Sequence, residues 1–274
     1  MIKALFFDLD GTLLSSRKTL LPSTIEALRR CKQQGVKVFM ATARSPRLAQ
    51  KLGWPEDVAA LFDGGLHSNG ACLVMGSETT YTYIDPEAVR LCVEEVAKHE
   101  GMQLSLHMEG DLHAFNHFMP DRMLAPWGMK REDILPLDDF AAHHAVKLLI
   151  YYDYLLEATG KLMPQTLYPA LQAACGSKAH IYLTDGGSTM QVASLQASKH
   201  LAIERVRQQL GLSREEIAVF GDDLNDVEML SHCPNSVAMG NAHPQAKAVA
   251  AHVTHSCDED GIAHALRNIL HIIP

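Results

Sequence analysis

Six cysteines are present, but no CxxC pair is found among them, so neither a disulfide framework nor a zinc knuckle is expected. Cys31, Cys72, Cys92, Cys175, Cys233 and Cys257 are scattered through hydrophobic segments and read as reduced, buried thiols. No stretch reaches the roughly 18 uncharged apolar residues that a membrane-crossing helix needs. The opening MIKALFFDLDGTL meets acidic residues within a few positions, which breaks any secretory h-region. Together these absences lead to the expectation of a cytoplasmic protein. Positive charge is also in short supply. Twenty-four basic against 32 acidic residues leave a formal charge of −8, which argues against a nucleic acid as partner. A small anionic substrate stays compatible with that balance if local positive charge surrounds it. Internal repeats and low-complexity linkers are missing as well.

What is there is the composition of a folded chain: 274 residues, 47% hydrophobic and 20% charged, enough to bury one large core or two smaller ones. Apolar runs of strand length alternate with amphipathic segments of helix length. KALFFD reads as a buried strand by its continuous apolar character, and GVKVFMAT repeats that pattern over residues 35–42. Between them lies a helix, with Ser23 three residues before Glu26 as a capping box and Gly35 where a C′ residue belongs. Such a βαβ unit predicts parallel strands joined by a right-handed crossover. The last third repeats the logic. SLQASKHLAIERVRQQLGL reads as helix, Ser213 and Glu216 cap a short turn, IAVFGDD reads as a buried strand, DVEMLSHC as helix, and SVAMG and HVTHS as further short strands. The two ends of the chain therefore build one α/β layer structure around a parallel sheet.

The middle has a different rhythm. Residues 83–187 open with a helix whose N-cap is Asp85 and whose first residue is Pro86, with Gly101 past its end. The segments MQLSLHM, LHAFNHF, AVKLLIYY and AHIYLT follow as strand-like pieces around a second helical stretch near residues 155–175. This block is large enough for an α+β domain inserted between two halves of the first, residues 1–82 and 188–274.

The chemistry gathers at two strand ends. Asp8 and Asp10 close the first apolar run, and a period of two puts both side chains on one face at the carboxyl edge of a parallel sheet, where open α/β sheets bind ligands. Taken alone, the pair is equally compatible with capping the turn that follows, since Asp-Gly is ordinary turn chemistry. A second acidic cluster, VFGDDLND, ends another strand with Asp222, Asp223, Asn225 and Asp226. Like charges collected at one edge repel unless a cation joins them, and hard oxygen ligands suit Mg²⁺. Mg²⁺ held by few carboxylates is the usual equipment of phosphoryl transfer.

The first 80 or so and last 90 or so residues resemble the haloacid dehalogenase-like superfamily of phosphohydrolases. DLDGTL matches its first motif, Thr42 in VFMATAR the second, Lys199 in ASKHLAI the third and GDDLND the fourth; VAMGNAHPQAKAVAAHVTHSCDEDGIAHAL looks like the C-terminal signature of its Cof-like subgroup. A large block between Thr42 and Lys199 resembles the class whose type IIB cap sits between the second and third motifs. That resemblance implies a Rossmann-like core, an inserted lid, and a Mg²⁺-dependent phosphatase acting on small organic monoesters such as sugar phosphates. It implies Asp8 as nucleophile, Asp10 as general acid and base, and Asp8, the main-chain carbonyl of Asp10 and Asp222 around Mg²⁺. Thr42 and the Ala43 amide would hold a phosphoryl oxygen, Lys199 would neutralise transition-state charge, Asn225 would orient phosphate, and Asp226 would serve the metal or tether Lys199. The chain departs from the subgroup at Ala43 and His200, where glycine is usual.

Other features carry less. Arg44 and Arg47 are compatible with contacts to substrate or lid and with a helix N-terminal surface pair. Asn69 and Gly70 resemble a loop that lines the family's site. Asp223, next to Asp222, is expected to cap or face solvent. His113 and His117 stand four apart on a segment that reads as strand or loop, which suits no metal. His107, Glu109, Asp111, His113, Tyr151 and Tyr182 are the polar candidates for specificity in the insert. A small phosphorylated metabolite is the expected partner, with no nucleic acid and no membrane, and the chain a monomer or small homo-oligomer. Two rival functions share these residues: a phosphomutase of the same superfamily, and a catalytically idle sensor of phosphorylated ligands.

Overall fold

Strands that read as apolar on both faces become the centre of a sheet. In the computed structural model, which describes residues 1–152 and 162–274, the chain forms β1 (Ala4–Phe7), β2 (Lys37–Ala41), β3 (Gly64–His67), β4 (Cys72–Met75), β5 (Glu78–Tyr81), β6 (Met102–Met108), β7 (His113–Phe115), β8 (Ala145–Tyr152), β9 (Ala179–Thr184), β10 (Thr189–Ser194), β11 (Ile217–Gly221), β12 (Ser236–Ala238) and β13 (His252–Val253). Contacts divide it into two units: residues 1–46, 52–80 and 198–274, and residues 47–51 and 81–197.

In the first unit the strand order is β13-β12-β11-β1-β2-β3-β4-β5. β1 lies between β11 and β2, parallel to both, with Phe6 opposite Val219 and Phe39. Every β1 and β11 residue is buried, as expected for strands covered on both faces. Phe6 stacks on Phe39 and Phe7 on Phe220 across the ladder, with centroids 5.0 and 4.5 Å apart. β3 continues the parallel set and β4 turns back antiparallel.

The first helix, Pro22–Gln33, forms as the sequence predicts and Gly35 adopts a φ of 78° at its exit, but the capping box at Ser23 does not form. Pro22 occupies the first turn, so the helix begins two residues earlier with Leu21 at its N-cap; Ser23 Oγ donates to Asp260 and Glu26 pairs with Arg30 instead. The second capping box, at Ser213 and Glu216, does form.

The second unit holds an antiparallel sheet in the order β7-β6-β8-β10-β9. Asp85 caps the helix Pro86–Val96 by accepting from the amides of Glu87 and Ala88. The helix Leu167–Cys175 forms part of the second helical stretch; residues 153–161 lie outside the described residues. One segment differs from expectation. Residues 188–197, which the sequence groups with the α/β core, form β10 and pair with β8 and β9, and the helix expected over SLQASKHL starts only at Lys199, where Ser198 Oγ accepts from the Leu201 amide. The alternation in TMQVAS, with Met190 and Val192 fully buried, favours a strand over a helix. Among the described residues no helix is long and apolar enough to cross a membrane.

Candidate active site

The parallel order brings four strand ends side by side. Asp8 follows β1, Thr42 follows β2, Ser68 and Asn69 follow β3, and Asp222 follows β11. Lys199 is the first residue of the helix Lys199–Gln209. Its ammonium is 1% exposed and donates to Asp8 Oδ1 at 2.6 Å and Asp226 Oδ1 at 2.7 Å. Asp226 is fully buried, and its second oxygen accepts from the amides of Asp222 (2.9 Å) and Asp223 (3.1 Å). Thr12 Oγ1 donates to Asp222 Oδ1 at 2.7 Å. Two backbone features permit this crowding. Gly11 has φ +86°, and a Cβ there would stand 2.2 Å from Asp222 Oδ2; a Cβ on Gly221 would stand 2.6 Å from Asp226.

One carboxylate oxygen from each of Asp8, Asp222 and Asp226 lies within 4.8 Å of the others. Burial pushes Asp8 up to about 8 against the pull of Lys199, and the charges of Asp226 and Asp222 push the same way. Burial likewise pushes Asp222 up to about 6, against the Thr12 hydroxyl. Burial disfavours charge on Lys199, yet Asp226 and Asp8 outweigh it and keep the ammonium protonated. Three acids against one lysine leave uncompensated negative charge, and oxygen donors of this kind fit a hard divalent cation such as Mg²⁺.

Asp10 is placed differently. Its side chain is not in that cluster. Arg44 grips it from two nitrogens, Nε to Oδ2 at 2.8 Å and Nη2 to Oδ1 at 2.7 Å, and Lys18 Nζ donates to Oδ1 at 2.7 Å. Partial burial would raise its pKa, but the two cations hold it down to about 2. Thr42 is buried, and its Oγ1 accepts from the Arg44 amide at 3.1 Å, so its own O–H is not spent in that bond. Ala43 is half-buried beside it. Ser68 and Asn69 both have positive φ, 50° and 55°; their amides donate to the carbonyls of Arg44 and Thr42, which ties this turn to the end of β2. Asn225 Nδ2 donates to Asn69 Oδ1 at 3.1 Å.

Several expectations resolve here. Asp223 caps the turn Leu224–Asp226 through the Leu224 amide at 2.8 Å; β11 stops at Gly221, so strand alternation does not apply to it. His200 neither faces open solvent nor stands alone, but is half-buried with its ring stacked on His232, centroids 4.3 Å apart. Arg47 bonds Asp133, and its amide donates to Asp111. Three participants were not anticipated. Thr12 lies inside the first motif, where its type was a usable signal. Lys18 and Asn241 carried none: Lys18 reaches Asp10 because residues 14–20 form a closed loop, and Asn241 bridges the Gly11 carbonyl and the Cys257 amide from beyond β12.

A family profile of haloacid dehalogenase-like hydrolases matches residues 5–266. The HMP-PP phosphatase of Cronobacter sakazakii is 29% identical over 280 residues, 96% of this chain and 94% of that protein. Among solved structures, a hypothetical protein of Geobacillus kaustophilus HTA426 superposes with a TM-score of 0.78 at 29% identity, covering 100% of both chains. The subclass IIB sugar phosphatase BT4131 superposes with a TM-score of 0.75 at 27% identity, over 99% of this chain and 100% of that one.

Proposed function

The chain belongs to the haloacid dehalogenase-like hydrolases and is a phosphatase of that family, and from that premise we propose that it hydrolyses small organic phosphate monoesters through an aspartyl-phosphate on Asp8, with Mg²⁺ as cofactor. The observation that carries this reading is the placement of Asp8: at the end of the central strand, one oxygen bonded to Lys199, with Asp222 and Asp226 beside it. A pure binding site for phosphate has no use for a buried carboxylate at its centre.

In the first half-reaction an Asp8 oxygen attacks phosphorus and the P–O ester bond breaks, the departing oxygen taking a proton from Asp10. In the second, water attacks phosphorus, Asp10 takes a proton from it, and phosphate leaves Asp8 free. Asp10 is held ionised by Arg44 and Lys18 at rest, so before it donates it must leave these partners and take up a proton from solvent, which it then passes to the departing ester oxygen. Thr42 and the Ala43 amide hold a phosphoryl oxygen, with Arg44 and Asn225 contributing further donors and Asn69 fixing Asn225. Lys199 meets charge on the transferring group, which is worth most where water is excluded. Asp8, the Asp10 carbonyl and Asp222 would hold Mg²⁺, which supplies charge neutralisation between nucleophile and phosphate dianion. Asp226, with both oxygens engaged, acts by fixing Lys199 and the Asp222 backbone.

Phosphate release from a panel of small esters, measured with Mg²⁺, with EDTA and for Asp8→Asn, tests the reading. Release that needs both Asp8 and Mg²⁺ is expected, with Asp8→Asn slower by at least about a thousandfold. Release that survives Asp8→Asn removes the nucleophile from the scheme, and release in EDTA removes the metal.

A further inference from the structure

Asp10 is held by more positive charge than it can balance. Arg44 donates to both of its oxygens, Nε to Oδ2 at 2.8 Å and Nη2 to Oδ1 at 2.7 Å, and Lys18 Nζ donates to Oδ1 at 2.7 Å. Among the described residues neither cation has a second ion pair. The other acids of this region are engaged elsewhere: Asp8 and Asp226 by Lys199, Asp222 by the Thr12 hydroxyl, and Asp258 by the Ser16 amide. A chain of net charge −8 thus sets two cations against one carboxylate at the end of its central strand.

The position of Lys18 is fixed by the loop that carries it. Its φ is 59°, a conformation uncommon for a residue with a Cβ. The Lys18 amide donates to the Ser15 carbonyl and the Ser15 amide to the Thr19 carbonyl, both at 2.9 Å. The hydroxyls of Ser15 and Thr19 are 3.0 Å apart, and Leu14 bridges to both Asp10 and Leu20. Backbone strain of this kind persists where the surroundings fix it, and it gathers where a side chain has a task. Glycine would occupy residue 18 at less cost; lysine brings a charge. The Lys18 side chain is 59% exposed, so its ammonium can take an anion from solution without any opening of the fold.

In the scheme above Asp10 leaves both cations before it serves the ester oxygen. Arg44 then has the phosphoryl group as its anion, and Lys18 has none. The ester oxygen must come within about 3 Å of the Asp10 carboxyl group, which brings the carbons bonded to that oxygen close to Lys18 Nζ. We propose that Lys18 is a specificity-determining residue that binds a second anionic group, carried by the leaving portion of the phosphate ester, an inference that rests on the phosphatase reading. Such a group replaces the Asp10 carboxylate on Lys18 in a charge-assisted hydrogen bond and so frees Asp10 for proton transfer. An uncharged leaving portion makes no such exchange.

The test uses two esters of one three-carbon skeleton, 3-phosphoglycerate and glycerol 3-phosphate, which differ by a carboxylate in place of a hydroxymethyl group at the far end. kcat/KM for each is measured with Mg²⁺ in wild type, Lys18→Asn and Lys18→Arg. Asn tolerates the positive φ, and thermal unfolding verifies that each variant is folded. The wild type is expected to favour 3-phosphoglycerate. Lys18→Asn should lower the ratio of its kcat/KM to that of glycerol 3-phosphate about tenfold, the effect of one hydrogen bond to a charged group, mostly through KM. Lys18→Arg, which keeps the charge, should retain most of the preference. Both esters meet the same Asp10, so a change in proton transfer cancels in the ratio. A ratio in Lys18→Asn within about twofold of wild type overturns the proposal. If the wild type releases phosphate from neither ester, the phosphatase reading fails for such compounds, and calorimetric titration of wild type and Lys18→Asn with the two esters still decides the role of Lys18. Tighter binding of 3-phosphoglycerate that is lost in Lys18→Asn supports it, and equal binding of both esters by wild type overturns it.

Discussion

Replacing Asp226 by Asn tests how the buried charges are balanced. Asp226 accepts three hydrogen bonds, one from the Lys199 ammonium and two from backbone amides, and none of it reaches solvent. Two effects oppose each other. Removing the charge relieves repulsion with Asp8 and Asp222, whose pKa values it helps to raise. It also removes attraction to Lys199, and that ammonium is 2.7 Å away while the other carboxylates are separated by up to 4.8 Å, so the nearer attraction wins. Asn keeps one acceptor and gains an NH₂. Facing the amides, it sets a donor against Lys199; facing Lys199, it leaves two buried amides unpaired. Either way the loss is roughly 3 kcal/mol by the usual cost of a broken buried charge pair. That corresponds to a fall in Tm of about 6–12 °C. Thermal unfolding should be followed in EDTA, so that any change in metal affinity does not enter. A rise in Tm, or a fall smaller than about 2 °C, would refute the reasoning and mean that repulsion among the three acids dominates.

Three further outcomes follow from the same geometry. Thr12→Val removes the hydroxyl that holds Asp222 down, so Asp222, already raised to about 6, moves higher; since a ligand must be deprotonated, the Mg²⁺ needed for half-maximal phosphate release should rise about tenfold at mildly acid pH and recover toward wild type as pH increases. An unchanged Mg²⁺ requirement across that range would detach Thr12 from the metal site. Gly11→Ala forces a Cβ to within 2.2 Å of Asp222 Oδ2 at a φ of +86°; activity should fall at least about tenfold with the fold retained by circular dichroism, and full activity would mean that Asp222 has no fixed position to lose. Asp63 concerns stability alone. Burial would raise its pKa, but Lys32, the Val38 amide and Lys37 outweigh it and hold it below the usual value. A depressed acid stabilises the fold above its unfolded pKa and loses that contribution as pH falls through the folded one. Asp63→Asn should therefore lower Tm at pH 7 and converge on wild type as pH falls below the ordinary carboxylate range, while a difference that persists in strong acid would mean that its ion pairs are not the source.

How much was legible in the sequence varied with how local each feature is. MQLSLHM, AVKLLIYY and AHIYLT coincide with β6, β8 and β9, because alternation and β-branched or aromatic content act within a few residues. The positions of Asp8 and Asp222 at strand ends were legible for the same reason. Ser23 failed as a cap although it satisfies the local pattern, since Pro22 set the helix start and a loop more than two hundred residues away supplied Asp260 as a competing partner. TMQVAS alternates as a strand does, but its membership of the second sheet was settled by pairing with β8 and β9.

Sequence alone, then, determined most of the strand segments, the parallel frame of the first sheet, and which acids stand at its carboxyl edge. Those properties come from periodicity and from the limits on how a chain crosses a sheet. Tertiary structure alone decided which partner each charge takes: Lys199 with Asp8 across 191 residues, Thr12 with Asp222 across 210, and Asp10 with Arg44 across 34. It also left Ser105 Oγ, His107 Nε2 and His113 Nδ1 buried without a hydrogen-bond partner among the described residues. A side chain's partner depends on which loops the sheet order places together and on what is shielded from water there, and neither is encoded at a fixed spacing along the chain.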